Sequence, residues 1–368
     1  MSIITDTIQG KGTPLTIKDT ISGTPTPQTV KDTIDTYIKT PPDTTKRYQT
    51  DLDLRLRLEI SGANVLIEDN AKYRWNGLDM DFHIIKSYEN NPQESEIKIY
   101  NLSTETYNLI YEKGEMFRLS CARGKDEDYT PFYTGQGFSS VKVGGRTVLT
   151  RNEGFMAQDA NAGRRGQTDL ETTIKLASYG IGRLYKSYQS SVSSDMVIED
   201  CRIALGLPKG NMDKITSVML PAGHTIRGNV YQELNDLGNL LGFTWNCNDM
   251  SLNIYDKSCS EIKPYGIILN GENSNIPEMQ EDKFRTQSKI VQKKSKKKGI
   301  PQIKEYTITR EKKGFKIETM FLPFLQVGST CYLDFDMSGA NGVSAYIYRL
   351  EHFGSNTGTD CKTIIYCV

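Results

Sequence analysis

From Asp51 the chain alternates apolar and charged residues one by one. Leu52, Leu54, Leu56, Leu58 and Ile60 take every second position, with Asp53, Arg55, Arg57 and Glu59 between them. A period of two places the two sets on opposite faces of a strand, so this chain has to build sheet. The pattern returns at Tyr73 and Trp75, then Leu78, Met80, Phe82 and Ile84, around an Asn76-Gly77 hairpin turn. Ile97 and Ile99 continue it, as do Phe117, Leu119 and Cys121, with further strands expected around Tyr133, 141–143 and 148–149. One short helix interrupts this run. Asn101-Leu102-Ser103 opens it, Ser103 is the N-cap, and it reaches about Glu112 with Gly114 as the stop.

The middle of the chain is mixed. Ser194-Asp195 is expected to cap a helix that reaches Gly206. A second, amphipathic helix is expected from about Val230 to Leu241, with Val230, Leu234, Leu237 and Leu241 on one face and Gly242 at its end. A hairpin follows, with Phe243, Trp245 and Cys247 on one side of Asn248-Asp249 and Leu252 and Ile254 on the other. The last section is strand-rich again. Ile303, Tyr306 and Ile308 are expected on one strand and Phe315, Ile317 and Met320 on its partner, with later strands at 331–335, 345–350 and 363–368.

The first fifty residues have a different grammar. Asp6-Thr7-Ile8, Asp19-Thr20-Ile21 and Asp32-Thr33-Ile34 repeat with a period of thirteen. Pro14, Pro25, Pro27, Pro41 and Pro42 exclude a helix. Each unit has too few apolar side chains to bury a core, which fits either a disordered tail or an extended arm that adds strands to neighbours. The strict phase favours the arm.

The formal net charge is zero, so no basic excess points to nucleic acid. No run of about eighteen apolar residues predicts a membrane span, and the N-terminal stretch does not read as a secretory signal. The seven cysteines, at 121, 201, 247, 259, 331, 361 and 367, are odd in number and form no C-x-x-C pair. They read as reduced thiols of a protein folded in a cytoplasm. Cys361 and Cys367 share a strand face but stand too far apart along it to bridge.

No chemistry-bearing motif emerges. His83 is expected on the polar face of its strand, two residues from Asp81, His224 in a loop, and His352 just after a strand. None lies near a nucleophile motif, and one His–Asp pair is not a metal-ligand set. Gly135-Gln136-Gly137 is too short for a dinucleotide fingerprint. The carboxylate pairs Asp79/Asp81 and Asp126/Asp128 read as solvated surface. The basic run Lys293, Lys294, Lys296, Lys297 and Lys298 reads as a charged loop between strands, or else as a contact for nucleic acid, which the lack of aromatic residues in the run disfavours, for an acidic partner or for a membrane headgroup layer. No catalytic, metal-binding or cofactor-binding residue is assigned, and the chain is not expected to be an enzyme.

One stretch is more specific: Trp75-Asn76-Gly77-Leu78, Phe82, then Glu94-Ser95-Glu96-Ile97-Lys98-Ile99-Tyr100-Asn101-Leu102-Ser103, Thr106, Ile110 and Gly114. It resembles the opening domain of baseplate hub proteins of contractile-tailed phages, where a W-x-G-L-type hairpin leads to a strand ending in a Y-N-L-S helix cap. Looser similarity continues through Phe132-Tyr133-Thr134-Gly135, Gly242-Phe243-Thr244-Trp245, Phe324-Leu325-Gln326-Val327-Gly328-Ser329, Arg349-Leu350-Glu351-His352 and Thr363-Ile364-Ile365-Tyr366-Cys367. It spans about residues 51 to 368.

The resemblance implies a mainly β chain in which two tail-tube-like β-barrel domains flank a small mixed α+β insert. The expected divisions are an arm at 1–50, a first barrel at 51–158, an insert at 159–262 and a second barrel at 263–368. It further implies a homotrimer whose six tube-like domains form a pseudo-sixfold ring with a lumen for DNA or effector. Tail tube protein, central spike protein and, through the arm, other baseplate subunits are the implied partners. The implied place is the virion tail baseplate, assembled in the host cytoplasm. A tail-associated cell-wall hydrolase and a peripheral glycan-binding tail protein are the alternatives.

Overall fold

The computed structural model describes residues 54–368, other than 69–77, 91–92, 124–127, 144–145, 151–154, 163–167, 181, 260–265, 276, 281–290, 294–301, 305–313, 337–339 and 358–360. The thirteen-residue repeats, the Trp75-Asn76-Gly77 turn, Asp126 and Lys294 to Lys298 lie outside these residues.

The alternating segments fold as strands. The first section holds β1 (Leu54–Ile60), β2 (Val65–Glu68), β3 (Met80–Ser87) and β4 (Ser95–Tyr100), then helix α1 (Thr104–Lys113). It continues with β5 (Phe117–Arg123), β6 (Thr130–Gly137), a hairpin of β7 (Ser139–Val143) and β8 (Arg146–Thr150), β9 (Met156–Ala162) and β10 (Thr168–Ala177). Strands β9 and β10 reach beyond residue 158 yet pair with each other and with β4, so the strand-rich section extends to Ala177.

The insert opens with β11 (Tyr185–Ser187), β12 (Val192–Ser193), α2 (Ser194–Ala204) and β13 (Lys209–Met212). After β14 (Met219–Leu220) and β15 (Thr225–Arg227) come α3 (Val230–Leu241), β16 (Phe243–Asn246), a 3-10 turn at Asn248–Met250 and β17 (Leu252–Asp256). The cap of α2 sits one residue earlier than expected. Ser193 accepts from the Met196 amide, while the Ser194 hydroxyl accepts from Val218 N instead. Helix α3 has the expected bounds, capped by Asn229 and stopped by Gly242 at φ 80°, where a side chain would be strained.

The last section holds β18 (Gly266–Asn270), β19 (Glu278–Gln280), β20 (Val291–Lys293), β21 (Gln302–Lys304) and β22 (Gly314–Met320). Then follow β23 (Thr330–Asp334), β24 (Asn341–Ser355) and β25 (Lys362–Cys367). Two expectations need correction. Ile303 pairs with Gln292 on β20, and the strand of Phe315 pairs with β19 and β25, while Tyr306 and Ile308 lie outside the described residues. On β22 the buried face is Phe315, Ile317 and Thr319, so Met320 falls on the other side, as a period of two requires.

Both strand-rich sections belong to one fourteen-stranded sheet. Its path reveals a repeat. Reading across the first section gives β3-β4-β10-β6-β5-β1, and across the last gives β19-β22-β25-β24-β23-β18. Each is the same permutation of six strands: second, third, sixth, fifth, fourth, first. All of these pairings are antiparallel except β18 with β23. The insert joins the last strand of one repeat to the first of the other.

The equivalence holds residue by residue across the third, fifth and sixth strands, while the first strand runs in opposite directions in the two repeats. Thr172, Ile174 and Leu176 on β10 match Thr363, Ile365 and Cys367 on β25, and all six are fully buried. Ile97 and Ile99 face Ile174 and Thr172, as Ile317 and Thr319 face Ile365 and Thr363. On the other side Gln158 lies opposite Thr172 and donates to its hydroxyl at 3.2 Å, while His352 lies opposite Thr363 and bonds its hydroxyl at 3.0 Å. Each repeat has its own apolar core, and the insert has a third, around Trp245, Leu234 and Val197.

The Tyr100-Asn101-Leu102-Ser103 motif is explained by four separate contacts. Tyr100 donates to Asp81 at 2.8 Å, and Leu102 is buried in the first core. Asn101, at φ 59°, clasps β10 with its amide on Leu170 O and its side-chain oxygen on Leu170 N. Ser103 then accepts from Thr106 N and caps α1. Asn tolerates the left-handed backbone that alanine resists. Asn101→Ala should therefore cost about 2–3 kcal/mol in urea unfolding, and Asn101→Gly about 1 kcal/mol, because glycine loses only the clasp.

Candidate functional site

Strand β24 binds the two repeats together. Its first half pairs with β23, ending at Thr330 opposite Tyr346, and a register shift between Ile347 and Arg349 follows. From Arg349 to Ser355 the freed edge pairs with β3, Ser87 back to Asp81, while the other edge stays on β25. The fifth strand of the second repeat thus pairs with the second strand of the first. Asn356 prolongs the seam, accepting from Met80 N at 2.8 Å and donating to Leu78 O at 3.0 Å.

Side chains reinforce the seam on both faces. On one, the His83 ring stacks on Phe353 with centroids 4.2 Å apart. Glu351 lies 3.7 Å from His83 and 2.8 Å from Arg349. The His83 imidazole, then the Arg349 charge and the Tyr366 hydroxyl, hold the Glu351 carboxyl down to about 2 against the upward push of burial. On the other face Phe82, Phe132 and Phe321 meet at centroid distances of 5.2 to 5.3 Å, and Phe321 comes from the second repeat.

His352 stands inside this aromatic cluster and not after the strand. It is fully buried, edge-on to Phe321. Burial, then the nearby Lys86 charge, lower its pKa to about 3. It is neutral at physiological pH and serves as a core hydrogen-bond partner of Thr363.

The insert docks where β3 and β6 lie in the sheet. Asp249 sits at the tip of the β16–β17 turn at φ 54°. Its carboxylate accepts from Lys86 Nζ at 2.5 Å and from the Thr134 amide at 3.2 Å. Asn246 and Asn248 both donate to Ser87 O. Lys86 is only 1% exposed. On the second repeat Tyr346 donates to Asp213 Oδ2 at 2.9 Å, and Gly328 at φ 84° leaves room for the Tyr255 ring.

The remaining candidates do not converge. His224 bonds Glu233 at 2.7 Å within the insert, and Asp81 holds Tyr100. Gly135 and Gly137 lie within β6 and precede no helix. Arg57 on the charged face of β1 is held by Glu68 at 3.0 Å and by the Tyr129 ring at 4.0 Å. All seven cysteines are buried, and none is in a disulfide. Among the described residues no three His, Cys, Asp or Glu side chains form a metal-ligand cluster, and no helix is long and apolar enough to cross a membrane.

Sequence reading passed over the polar groups that matter most here. Lys86 keeps the phase of Met80, Phe82 and Ile84, and a lysine on an apolar face was the available signal for a buried charge. Asp249 lay in the expected turn but gave no sign of its partner, 163 residues away.

No protein-family model matches this chain, and no curated protein matches it in sequence. Among solved structures it is similar to the 43 kDa tail protein of prophage MuSo2 from Shewanella oneidensis, at 10% identity and a TM-score of 0.47, over 85% of this chain and 96% of that one. A tail protein from Neisseria meningitidis MC58 gives 10% identity and 0.46, over 86% and 96%. The E. coli c3393 protein, a type VI secretion system component, gives 9% and 0.40, over 79% and 73%. At this identity, and with TM-scores under 0.5, none of them assigns this chain a function.

Two outcomes are expected at the seam and the joint. His352 takes up no proton until about pH 3, whereas the unfolded chain takes one near 6.5, so stability is lost as pH falls through this window. Between pH 7 and 4.5 the loss through this group is about 2–3 kcal/mol. His352→Gln copies the Gln158–Thr172 pair of the first repeat and should remove that loss in urea titrations at the two pH values; an unchanged loss contradicts the assignment. Asp249→Asn should cost about 3–5 kcal/mol by stranding the buried Lys86 charge, and adding Lys86→Met should restore most of it in a double-mutant cycle.

Proposed function

We propose that this chain is a structural component of a phage tail or related contractile injection machine, a baseplate hub that joins the tail tube to the central spike. The observation that carries the reading is the doubled six-strand module within one sheet. A subunit with two equivalent modules lets a threefold assembly present six nearly equivalent faces to a sixfold tube above while its three chains match a threefold spike below. The Tyr100-to-Ser103 motif, with a contact for each residue, supports it as well.

In this reading the chain works as a homotrimeric ring, and DNA or effector passes through the lumen as cargo. It acts by docking, without catalysis or cofactor. Its partners are the tail tube protein, the spike protein and, through residues 1–50, other baseplate subunits. Its place is the tail baseplate of the virion, reached after assembly in the host cytoplasm. Native mass spectrometry and negative-stain images of the purified protein should give three copies in a hollow ring of pseudo-sixfold outline. A monomer at high concentration, or release of fragments from peptidoglycan, would contradict it.

A further inference from the structure

The repeat leaves two strand edges that match each other. In the first repeat the fifth strand is split: β6 pairs with β5, the β7–β8 hairpin intervenes, and β9 continues along β10. Strand β9 therefore occupies the place that Arg349–Ser355 of β24 has in the second repeat. The matched Gln158–Thr172 and His352–Thr363 pairs fix that equivalence. In β24 this segment carries β3 on its outer edge. Among the described strands, β9 pairs with β10 alone.

The counterpart of β3 is β19, which among the described strands pairs with β22 alone. Each chain thus contains one completed junction, second strand to fifth strand, and the two separate halves of another. An open edge is a template for pairing, and natural sheets cover or pair such edges.

We infer that β19 of one copy pairs antiparallel with β9 of the next, repeating between chains the junction that β3 and β24 make within one. This deepens the ring reading above and rests on it. The contact is heterologous, so each copy gives one edge and receives another, and the chain of copies ends only by closing on itself. Register follows from the internal junction. His83 opposite Phe353 becomes Glu278 opposite Asp159, and Ile85 opposite Glu351 becomes Gln280 opposite Ala157.

That register has a cost. Glu278 and Asp159 are both exposed and carry like charge. Lys316, 3.2 Å from Glu278, offsets part of the repulsion. Closure should therefore tighten as salt rises, because the surface repulsion is screened.

The test uses the full chain with Asp159→Cys and Glu278→Cys combined, mild oxidation, thiol blocking and a non-reducing gel. The double variant should give covalently linked copies up to a closed ring, and neither single variant should. The native cysteines are buried, which shields them from oxidation in the folded assembly, and excess blocking reagent kept present during denaturation caps them as they are exposed. Asp159→Lys should lower the concentration at which the assembly dissociates several-fold. An assembly of normal size with no linkage, and no tightening by Asp159→Lys, overturns the edge pairing but leaves the ring reading standing. A chain that stays monomeric overturns both.

Discussion

The hydrogen-bonded seam between β3 and the second half of β24 is the constraint on which the rest depends. Without it the two six-strand modules are separate sheets, joined by the insert and by side-chain contacts such as Phe82 with Phe321 and Arg123 with Phe321 O. With it they share one sheet, and their relative position is set by backbone pairing from Asp81 to Ser87. Pairing of this kind fixes register in steps of one residue, and a one-residue slip would turn every buried side chain outward. Phe82, Ile84 and Lys86 all face inward from β3, so the seam's register is specified by burial on that face.

The insert adds a second restraint through polar groups. Lys86 and Asp249 form a buried ion pair whose desolvation is costly, so it contributes more to geometry than to net stability. Ser87 O receives two amide donors from the turn that carries Asp249. One strand, β3, thus takes part in the first module, the seam and the joint together.

Much of this was legible in the sequence. The alternation at Leu54 to Ile60, the capping of α1 by Ser103 and the bounds of α3 follow from periods and caps that are local in the chain. The partners of β22 and the burial of His352 were not legible, because they depend on pairings that cross large sequence separations. The repeat itself was hidden for a related reason. Its equivalent positions hold different side chains, Gln158 and His352 or Leu176 and Cys367, that satisfy the same geometry. Burial and a threonine hydroxyl are conserved between the modules in space, while residue identity is not.

Amide hydrogen exchange tests the single-sheet account most directly. The amides of Ile84, Lys86, Leu350 and His352, which face the partner strand across the seam, should exchange as slowly as those of Ile174 and Ile365 in the two cores, by one common opening that exposes both modules. Rapid exchange along the seam, with the two modules opening at different rates, would mean that they are independent domains and that the continuous sheet does not exist in solution.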